Sequence, residues 1–228
     1  MKLGALVSGG KDSLLAMYLL HLRGHEIKYL ISMLPVRTDS YMFHHPNAHL
    51  TELQAEAMGM PLISRETEGR KEEELEDLRD VVMSIKDEVD GIVTGALASR
   101  YQKDRIDAIC KDAGLESLAP LWGMSGEELW KALLDAGFEV IIVSVAAEGL
   151  GEVWLGKKIG WEAFNDLKKL SLKHRFHLGF EGGEAETLVL DMPLFRRKIR
   201  IIQGSKEWDG VRGVYLVEEA CLEDKNEE

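Results

Sequence analysis

Ala5-Leu6-Val7-Ser8-Gly9-Gly10-Lys11-Asp12-Ser13 is the stretch that decides how this chain folds. The apolar run Leu3 to Val7 predicts a buried strand. The glycine pair permits a tight turn with no Cβ in the way, and Asp12 and Ser13 are residue types that favour helix starts. From Leu14 to Leu22 the chain is dense in helix formers, and Gly24 is the expected stop. Strand, glycine turn and helix in this order aim backbone N–H groups and a helix N-terminus at one point, which makes an anion site. Lys11 adds a positive charge, and Ser8 and Ser13 add hydroxyl donors. Because the glycines set the turn, the Lys11 side chain is expected outside the core. The anion is expected to be a phosphate, but not in a Walker-type loop. That loop needs a glycine six residues before its lysine and a Ser or Thr directly after it, and those places hold Ala5 and Asp12. A G-x-G-x-x-G fingerprint is absent as well.

Working outward, Ile27 to Leu34 predicts a second strand ended by Pro35, followed by a loop, Val36 to Pro46, that holds Arg37, Asp39, Tyr41, His44 and His45. Asn47 is a candidate cap for a helix that runs through Leu50, Leu53 and Ala57 to Gly59. Pro61 to Ile63 predicts a short third strand. Glu72 to Glu88 reads as an amphipathic helix with the stripe Leu75, Leu78, Val82 and Ile85. Ile92 to Thr94 is a fourth strand followed by Gly95, and a helix from about Gln102 to Ala113 stops at Gly114. Strands alternating with helices predict a parallel sheet covered on both faces. Ligands then sit beyond the carboxyl ends of the strands, so Ser8–Ser13, the Leu34–Pro46 loop and the Gly95–Gln102 stretch are expected to converge.

Farther on, Ser125-x-x-Glu128 predicts a capping box that opens a helix to Ala136. Phe138 to Ala146 predicts a central strand, and Trp161 to His174 another helix. Leu188–Leu190, Lys198–Ile202 and Val211–Val217 then read as strands joined by short turns. The change of character predicts a nucleotide-binding domain over residues 1–122 and a smaller α+β domain over 123–228.

The chain has 228 residues and a formal net charge of −12. Such a charge disfavours general binding to nucleic acid or to an anionic membrane. Cys110 and Cys221 are far apart and form no C-x-x-C pair, so a zinc ribbon or redox pair is not expected. Cys110 is expected to be a buried structural thiol. No signal peptide or membrane span is read, and the expected location is the cytoplasm.

Glu181-Gly182-Gly183-Glu184-Ala185-Glu186-Thr187 is the second notable stretch. Three carboxylates wrapped around two glycines are not expected to be buried without partners. A solvated turn is one reading, and a site for Mg²⁺ or for a substrate amine is the other. Ser8-Gly9-Gly10-Lys11-Asp12-Ser13 matches S-G-G-x-D-S, the signature of the ATP pyrophosphatases. The chain as a whole resembles one branch of them, the diphthine–ammonia ligases. The resemblance rests on Ser8–Ser13, Asp39-Ser40-Tyr41-Met42 with His44–Asn47, and Gly95 with Tyr101-Gln102 and Arg105. It extends through Ala119-Pro120-Leu121-Trp122, Gly149-Leu150-Gly151, and Glu181–Thr187 followed by Asp191-Met192-Pro193-Leu194-Phe195. These elements span nearly the whole chain in the family's order, as in its short, stand-alone form.

The resemblance implies a HUP-type, adenine-nucleotide α-hydrolase-like parallel sheet with a smaller substrate-binding domain. It implies conversion of diphthine, a modified histidine on translation elongation factor 2, into diphthamide, with ATP and ammonium consumed. A homodimer is compatible with it. A carboxylate does not react with ammonia at neutral pH because its oxygen leaves poorly. Adenylation activates it, with release of pyrophosphate and then AMP. Ser8, Gly9, Gly10, Lys11 and Ser13 suit the phosphates, and Asp12 is either a Mg²⁺ ligand or a helix cap. Ser32, Met33 and Gly95 are expected near the nucleotide by fold analogy. Lys11, Asp12, Arg105, Glu184 and Glu186 are the catalytic candidates. Tyr41, His44, Asn47, Tyr101, Gln102, Glu181, Gly182, Gly183, Glu184, Glu186 and Thr187 are the substrate-binding candidates. The carboxylates Glu181, Glu184 and Glu186 would order Mg²⁺, hold the trimethylammonium of diphthine or deprotonate ammonium. The rings of Tyr101 and Trp122 are further candidates for that cation, although core packing is the expected fate of Trp122. His44, His45 and His49 are spaced nearly as metal ligands, but no Cys or carboxylate cluster supports them.

Two rivals remain at this point. A tRNA-modifying adenylase would carry an RNA-binding region or catalytic cysteines. A non-catalytic ATP sensor would leave Glu181–Thr187 without a purpose.

Overall fold

The computed structural model describes residues 1–35, 47–67 and 71–225. Its first half is a five-stranded parallel sheet in the order β3-β2-β1-β4-β5. The strands are β1 (Lys2–Leu6), β2 (Glu26–Pro35), β3 (Leu62–Thr67), β4 (Gly91–Val93) and β5 (Glu116–Leu118). Between them run α1 (Lys11–Leu22), α2 (Thr51–Met58), α3 (Lys71–Ile85) and α4 (Arg100–Ala113). Strand β1 pairs with β2 on one side and with β4 on the other, so Ala5 stands opposite both Leu30 and Val93. The strand order reverses there, and a crevice opens beyond the carboxyl ends of β1 and β4.

After β5 come α5 (Gly126–Asp135), β6 (Glu139–Val145) and α6 (Trp161–His174), then β7 (Ala185–Asp191), β8 (Arg197–Trp208) and β9 (Gly213–Asp224). The last four strands form an antiparallel sheet in the order β7-β6-β9-β8, so β6 is interior as expected. The β8–β9 hairpin turns at Asp209, whose Oδ1 accepts the N–H groups of Val211 and Arg212 at 2.8 Å.

Helix α1 explains how the two sheets meet. Leu14, Leu15, Ala16, Met17 and Leu20 are all buried, so its apolar surface is far wider than one stripe. Helices of that kind are covered on several sides. On one side α1 packs on its own sheet. On another it joins Leu129, Trp130, Leu133, Phe138, Val140 and Leu167 in one continuous core. A second core, with Ile31, Leu78, Val82, Ile92, Ile106 and Cys110, lies under α3 and α4. Burial pushes the Cys110 thiol up to about 11, which fits a structural thiol.

Several boundaries differ from the sequence reading. Strand β3 runs through Thr67, and α4 starts at Arg100. Strand β5 was not foreseen, because Glu-Ser-Leu is too short and too polar to stand out. Strand β7 begins at Ala185, which places the end of the acidic stretch inside the sheet. Asn47 does not cap α2 with its side chain. Its backbone is left-handed, with φ 68°.

Candidate functional site

A cavity of about 290 Å³ opens where the strand order reverses. That is near the lower bound of ordinary ligand sites, about 300 Å³. Leu6, Val7, Ser8, Asp12 and Ser13 form one side, and Thr94, Gly95 and Ala96 after β4 form another. Ile31 and Met33 of β2 and Ile106 of α4 supply apolar surface, and Ser99 and Gln102 sit at the start of α4. Phe180, Glu181, Gly183 and Glu186 close the cavity from the second half of the chain.

The turn that begins α1 is built as its sequence suggests. Gly9 takes φ +85°, a left-handed conformation that a Cβ would strain. The Ser13 hydroxyl accepts the N–H of Ser8 at 3.2 Å and donates to Gly10 O at 3.2 Å. Gly95 must be glycine for a different reason: a Cβ there would stand 2.6 Å from Ser13 N and 2.8 Å from the Asp12 carbonyl carbon. Asp12 Oδ2 accepts from Lys11 Nζ at 2.9 Å, while its Oδ1 is buried with no hydrogen-bond partner among the described residues.

Long-range contacts brace this turn. Gly9 O accepts from Val189 N at 3.0 Å and from Gln54 Nε2 at 3.0 Å, and the same Gln54 nitrogen reaches Val189 O at 2.8 Å. Lys11 N donates to Thr187 Oγ1 at 3.1 Å, so that N–H is occupied.

Lys11 corrects the sequence reading. Its side chain is only 2 % exposed, and its ammonium lies against the rings of both Trp130 and Phe180. Its Nζ donates to Gly179 O at 2.8 Å as well as to Asp12. It belongs to the core and is not part of the cavity wall.

The opposing wall is the segment 177–186. Phe180 has φ +66°, which is rare for a bulky residue and marks a backbone held by its surroundings. The Phe180 ring meets Trp130 edge-on at 5.9 Å, and Trp130 Nε1 donates to Leu178 O at 2.9 Å. Helix α5 brings Trp130 there. Its capping box is present, with Glu128 N donating to Ser125 Oγ at 3.2 Å and Ser125 N donating to Glu128 Oε2 at 2.9 Å. A Cβ on Gly126 would stand 2.4 Å from Gly179 N, so the helix start lies directly on the segment.

Glu181 points across the cavity and accepts the Ala98 N–H at 3.0 Å. Burial and the nearby Asp12 charge raise its pKa, and the Ala98 N–H, Lys11 and His177 oppose the shift. Glu184 does not join it on the cavity wall. Its two oxygens accept the N–H groups of His177 at 2.9 Å and Gly182 at 2.7 Å, so it shapes the segment.

Other candidates also stand elsewhere. Ser32 alternates with the cavity-facing Ile31 and Met33, and its Oγ accepts from Thr51 on α2 at 3.1 Å. Asn47 is buried and clamps β9, donating to Tyr215 O at 2.9 Å and accepting from Val217 N at 2.8 Å. Arg105 lies between the cavity-lining Gln102 and Ile106 of α4, but its guanidinium stands 3.5 Å from the centre of the Tyr101 ring. Neither Tyr101 nor Arg105 lines the cavity. Trp122 is 39 % exposed, not core, and Lys103 Nζ lies 5.7 Å from its ring centre. Tyr41 and His44 lie outside the described residues. Among the described residues, no group of three or more His, Cys, Asp or Glu could hold a metal ion.

Ser99, Gln54 and Phe180 were missed. Ser99 had a signal, since Ser99-x-x-Gln102 is a helix-start pattern, and Ser99 Oγ accepts Gln102 N at 3.4 Å. Gln54 and Phe180 had none.

Comparison with known families and proteins agrees across both halves. The family model described as Diphthamide synthase N-terminal domain matches residues 1–117, and Diphthamide synthase C-terminal domain matches residues 125–222. A diphthine–ammonia ligase from Rattus norvegicus is 38% identical over 220 residues, covering 87% of this chain and 82% of that protein. The Homo sapiens protein of that name is 37% identical over 221 residues, with the same coverage. The Schizosaccharomyces pombe protein of that name is 33% identical over 100% of this chain but only 40% of its own length.

Proposed function

The chain belongs to the diphthamide synthase family, and from that premise we propose that it joins ammonia to the carboxylate of diphthine on translation elongation factor 2. ATP is cleaved to AMP and pyrophosphate in the process. The observation that carries this reading is the convergence of the Ser8–Ser13 turn and Glu181 on one cavity at the strand-order reversal. The nucleotide-binding half is taken as residues 1–122 and the substrate-binding half as 123–228.

In the proposed reaction, the carboxylate oxygen attacks the α-phosphorus and pyrophosphate leaves. Ammonia then attacks the activated carbonyl carbon, AMP leaves, and an amide remains. The chain's part is to hold the groups and limit water. Asp12 N and Ser13 N, at the start of α1, make no hydrogen bond among the described residues and suit phosphate oxygens. Ser8 and Ser13 add hydroxyls beside them. Leu6, Ile31, Met33 and Ile106 offer an apolar slot for the base.

The donor set fits Mg²⁺. Asp12 Oδ1 is a buried acceptor in want of a partner, and Glu181 lies close enough to feel the Asp12 charge. Mg²⁺ commonly takes one or two carboxylates plus substrate phosphates. When bound, it would offset charge on the leaving pyrophosphate. Glu186, paired across the sheet with Ser144, and Gln102 are assigned to the ammonium or the diphthine cation. Lys11, Glu184, Ser32 and Asn47 are assigned to supporting these groups from behind. A protein acting on a cytoplasmic translation factor belongs in the cytoplasm. Among the described residues, no helix is long and apolar enough to cross a membrane.

The test is to incubate the protein with diphthine-bearing elongation factor 2, ATP and ammonium, follow the factor by mass spectrometry and separate the nucleotides. Conversion to the amide with one AMP per turnover is expected. ADP as the primary product, or an unchanged factor, refutes the reading.

A further inference from the structure

The cavity has two walls, and one buried ammonium joins them. Lys11 Nζ donates to Asp12 on the phosphate-binding turn and to Gly179 O on the opposing segment. Gly179 directly precedes Phe180, the residue whose backbone is held at φ +66°. The ring centres of Phe180 and Trp130 lie 5.2 and 5.8 Å from the same nitrogen. A cation taken so far out of water needs partners. Here the Gly179 carbonyl, the Asp12 carboxylate and the rings of Phe180 and Trp130 provide them, and the first three belong to the cavity walls or the residue next to them. Lys11 is therefore satisfied by the protein itself and absent from the lining.

We infer that Lys11 is a positioning residue that ties the 177–184 segment to the phosphate-binding turn, thereby fixing where Glu181 stands relative to Asp12. It does not contact phosphate. A buried, charge-assisted hydrogen bond to Gly179 O holds a backbone whose local preference is otherwise unfavourable. The same ammonium holds Asp12 Oδ2, leaving Oδ1 without a hydrogen-bond partner among the described residues. The kinetic consequence rests on the proposed amidation, but the structural consequence does not.

The experiment compares Lys11→Met, which keeps length and loses charge, with Lys11→Arg, which keeps a donor. Three quantities are measured: affinity for a non-hydrolysable ATP analogue, amide hydrogen exchange across residues 177–184, and kcat and KM for ATP in the amidation. For Lys11→Met, exchange in 177–184 is expected to rise about tenfold or more and kcat to fall about tenfold or more, with analogue affinity within about threefold of wild type. Lys11→Arg should recover part of both losses. A large loss of affinity with unchanged exchange would make Lys11 a phosphate ligand and overturn the inference. A lower melting temperature with unchanged exchange and kcat would reduce it to packing, which also overturns it. If Lys11→Met does not fold, Lys11→Arg decides alone: lowered kcat with retained affinity supports the inference, and the reverse pattern refutes it. Exchange and analogue binding need no diphthine, so a failure of the amidation reading is distinguishable from a failure of this one.

Discussion

The two walls of the cavity are held in shape by different physics. The Ser8–Ser13 turn has local causes for its conformation, a glycine at φ +85°, a helix start and a serine hydroxyl bonded within the turn, and Val189, Gln54 and Thr187 brace it. The 177–184 segment owes its shape mainly to distant partners. Trp130 holds Leu178 O, Lys11 holds Gly179 O, and Ala98 N holds the Glu181 carboxylate. The glycine turn can present its N–H groups with modest help, whereas the acidic segment depends on core packing that includes α1 and α5. Changes in the first wall should therefore act on chemistry, and changes in the second should act on shape first and chemistry through it.

The sharpest break of that comparison is Asp12→Asn. Asn is nearly isosteric and still offers an oxygen to Lys11, but the buried ammonium loses its counter-charge, so a moderate loss of stability is expected. The cavity loses a negative charge at the residue assigned to the metal. We expect kcat/KM for amidation to fall by about 10³-fold, the scale on which preorganised charge contributes to catalysis, far more than the loss of stability accounts for. Lowered stability with unchanged kcat/KM in the folded variant would instead confine Asp12 to its pairing with Lys11.

Gly95→Ala breaks the first wall through the backbone. The added Cβ would meet Ser13 N at 2.6 Å, and that contact is with main chain, which cannot swing aside. Overpacking of this kind costs about 1–3 kcal/mol, and a shift of the turn by about 1 Å can cost about 10²-fold in rate. Chemical denaturation and ATP-analogue binding should both register the change. Normal analogue affinity would show that the turn tolerates displacement and is less exacting than the contact distances imply.

The contrast between the walls also explains what the sequence could reveal. The phosphate-binding turn was legible because its causes lie within a few residues: glycines for the turn, Asp and Ser for the helix start, an apolar strand before it. The parallel sheet followed from alternation of elements, and α5 from its capping box. Lys11 was misjudged as lying outside the core because its burial depends on Trp130 and Phe180, more than a hundred residues away. Ser32 was assigned to the cavity by fold analogy, yet strand alternation turns it toward Thr51. Glu184 and Glu181 look alike in Glu-Gly-Gly-Glu, and only the path of the chain sends one to backbone N–H groups and the other across the cavity. No residue type announces that a phenylalanine will sit at positive φ. Resemblance to a family supplied the reaction, which neither periodicity nor composition contains.

Glu184→Gln tests the second wall with a smaller effect. Both carboxylate oxygens accept backbone N–H groups, from His177 and Gly182. An amide keeps one acceptor and turns an NH₂ toward the other donor, leaving it unpaired. Such a loss costs about 1–3 kcal/mol locally. We expect faster proteolysis within 177–184 and a fall in kcat of about tenfold, since Glu184 shapes the segment but does not line the cavity. ATP-analogue affinity should hold. If affinity and kcat fall together, the walls are coupled more tightly than the comparison allows.

The smallest effect distinguishes the walls by pH. Burial, and then the Asp12 charge, raise the Glu181 pKa above its ordinary value of 4.5. The folded protein without added cation therefore holds this proton to higher pH than the unfolded chain does. Where the unfolded chain has released its proton and the folded chain has not, folding binds a proton, so stability falls as pH rises. The contribution is fully present below pH 4.5, the ordinary value, and is lost as pH rises from there through the raised pKa. Glu181→Gln removes the titration, so in that window its denaturation midpoint should decline less steeply with pH than wild type's. At neutral pH the variant should be equal to wild type or slightly more stable, because a charge beside Asp12 has been removed. Other carboxylates titrate in the same range in both proteins, so the informative quantity is the difference between the two curves. Glu184 faces backbone donors instead, so Glu184→Gln should lower stability mainly through the lost hydrogen bond. If the Glu181→Gln curve runs parallel to wild type throughout, Glu181 is not held against Asp12 in the cavity. The second wall would then contribute shape alone.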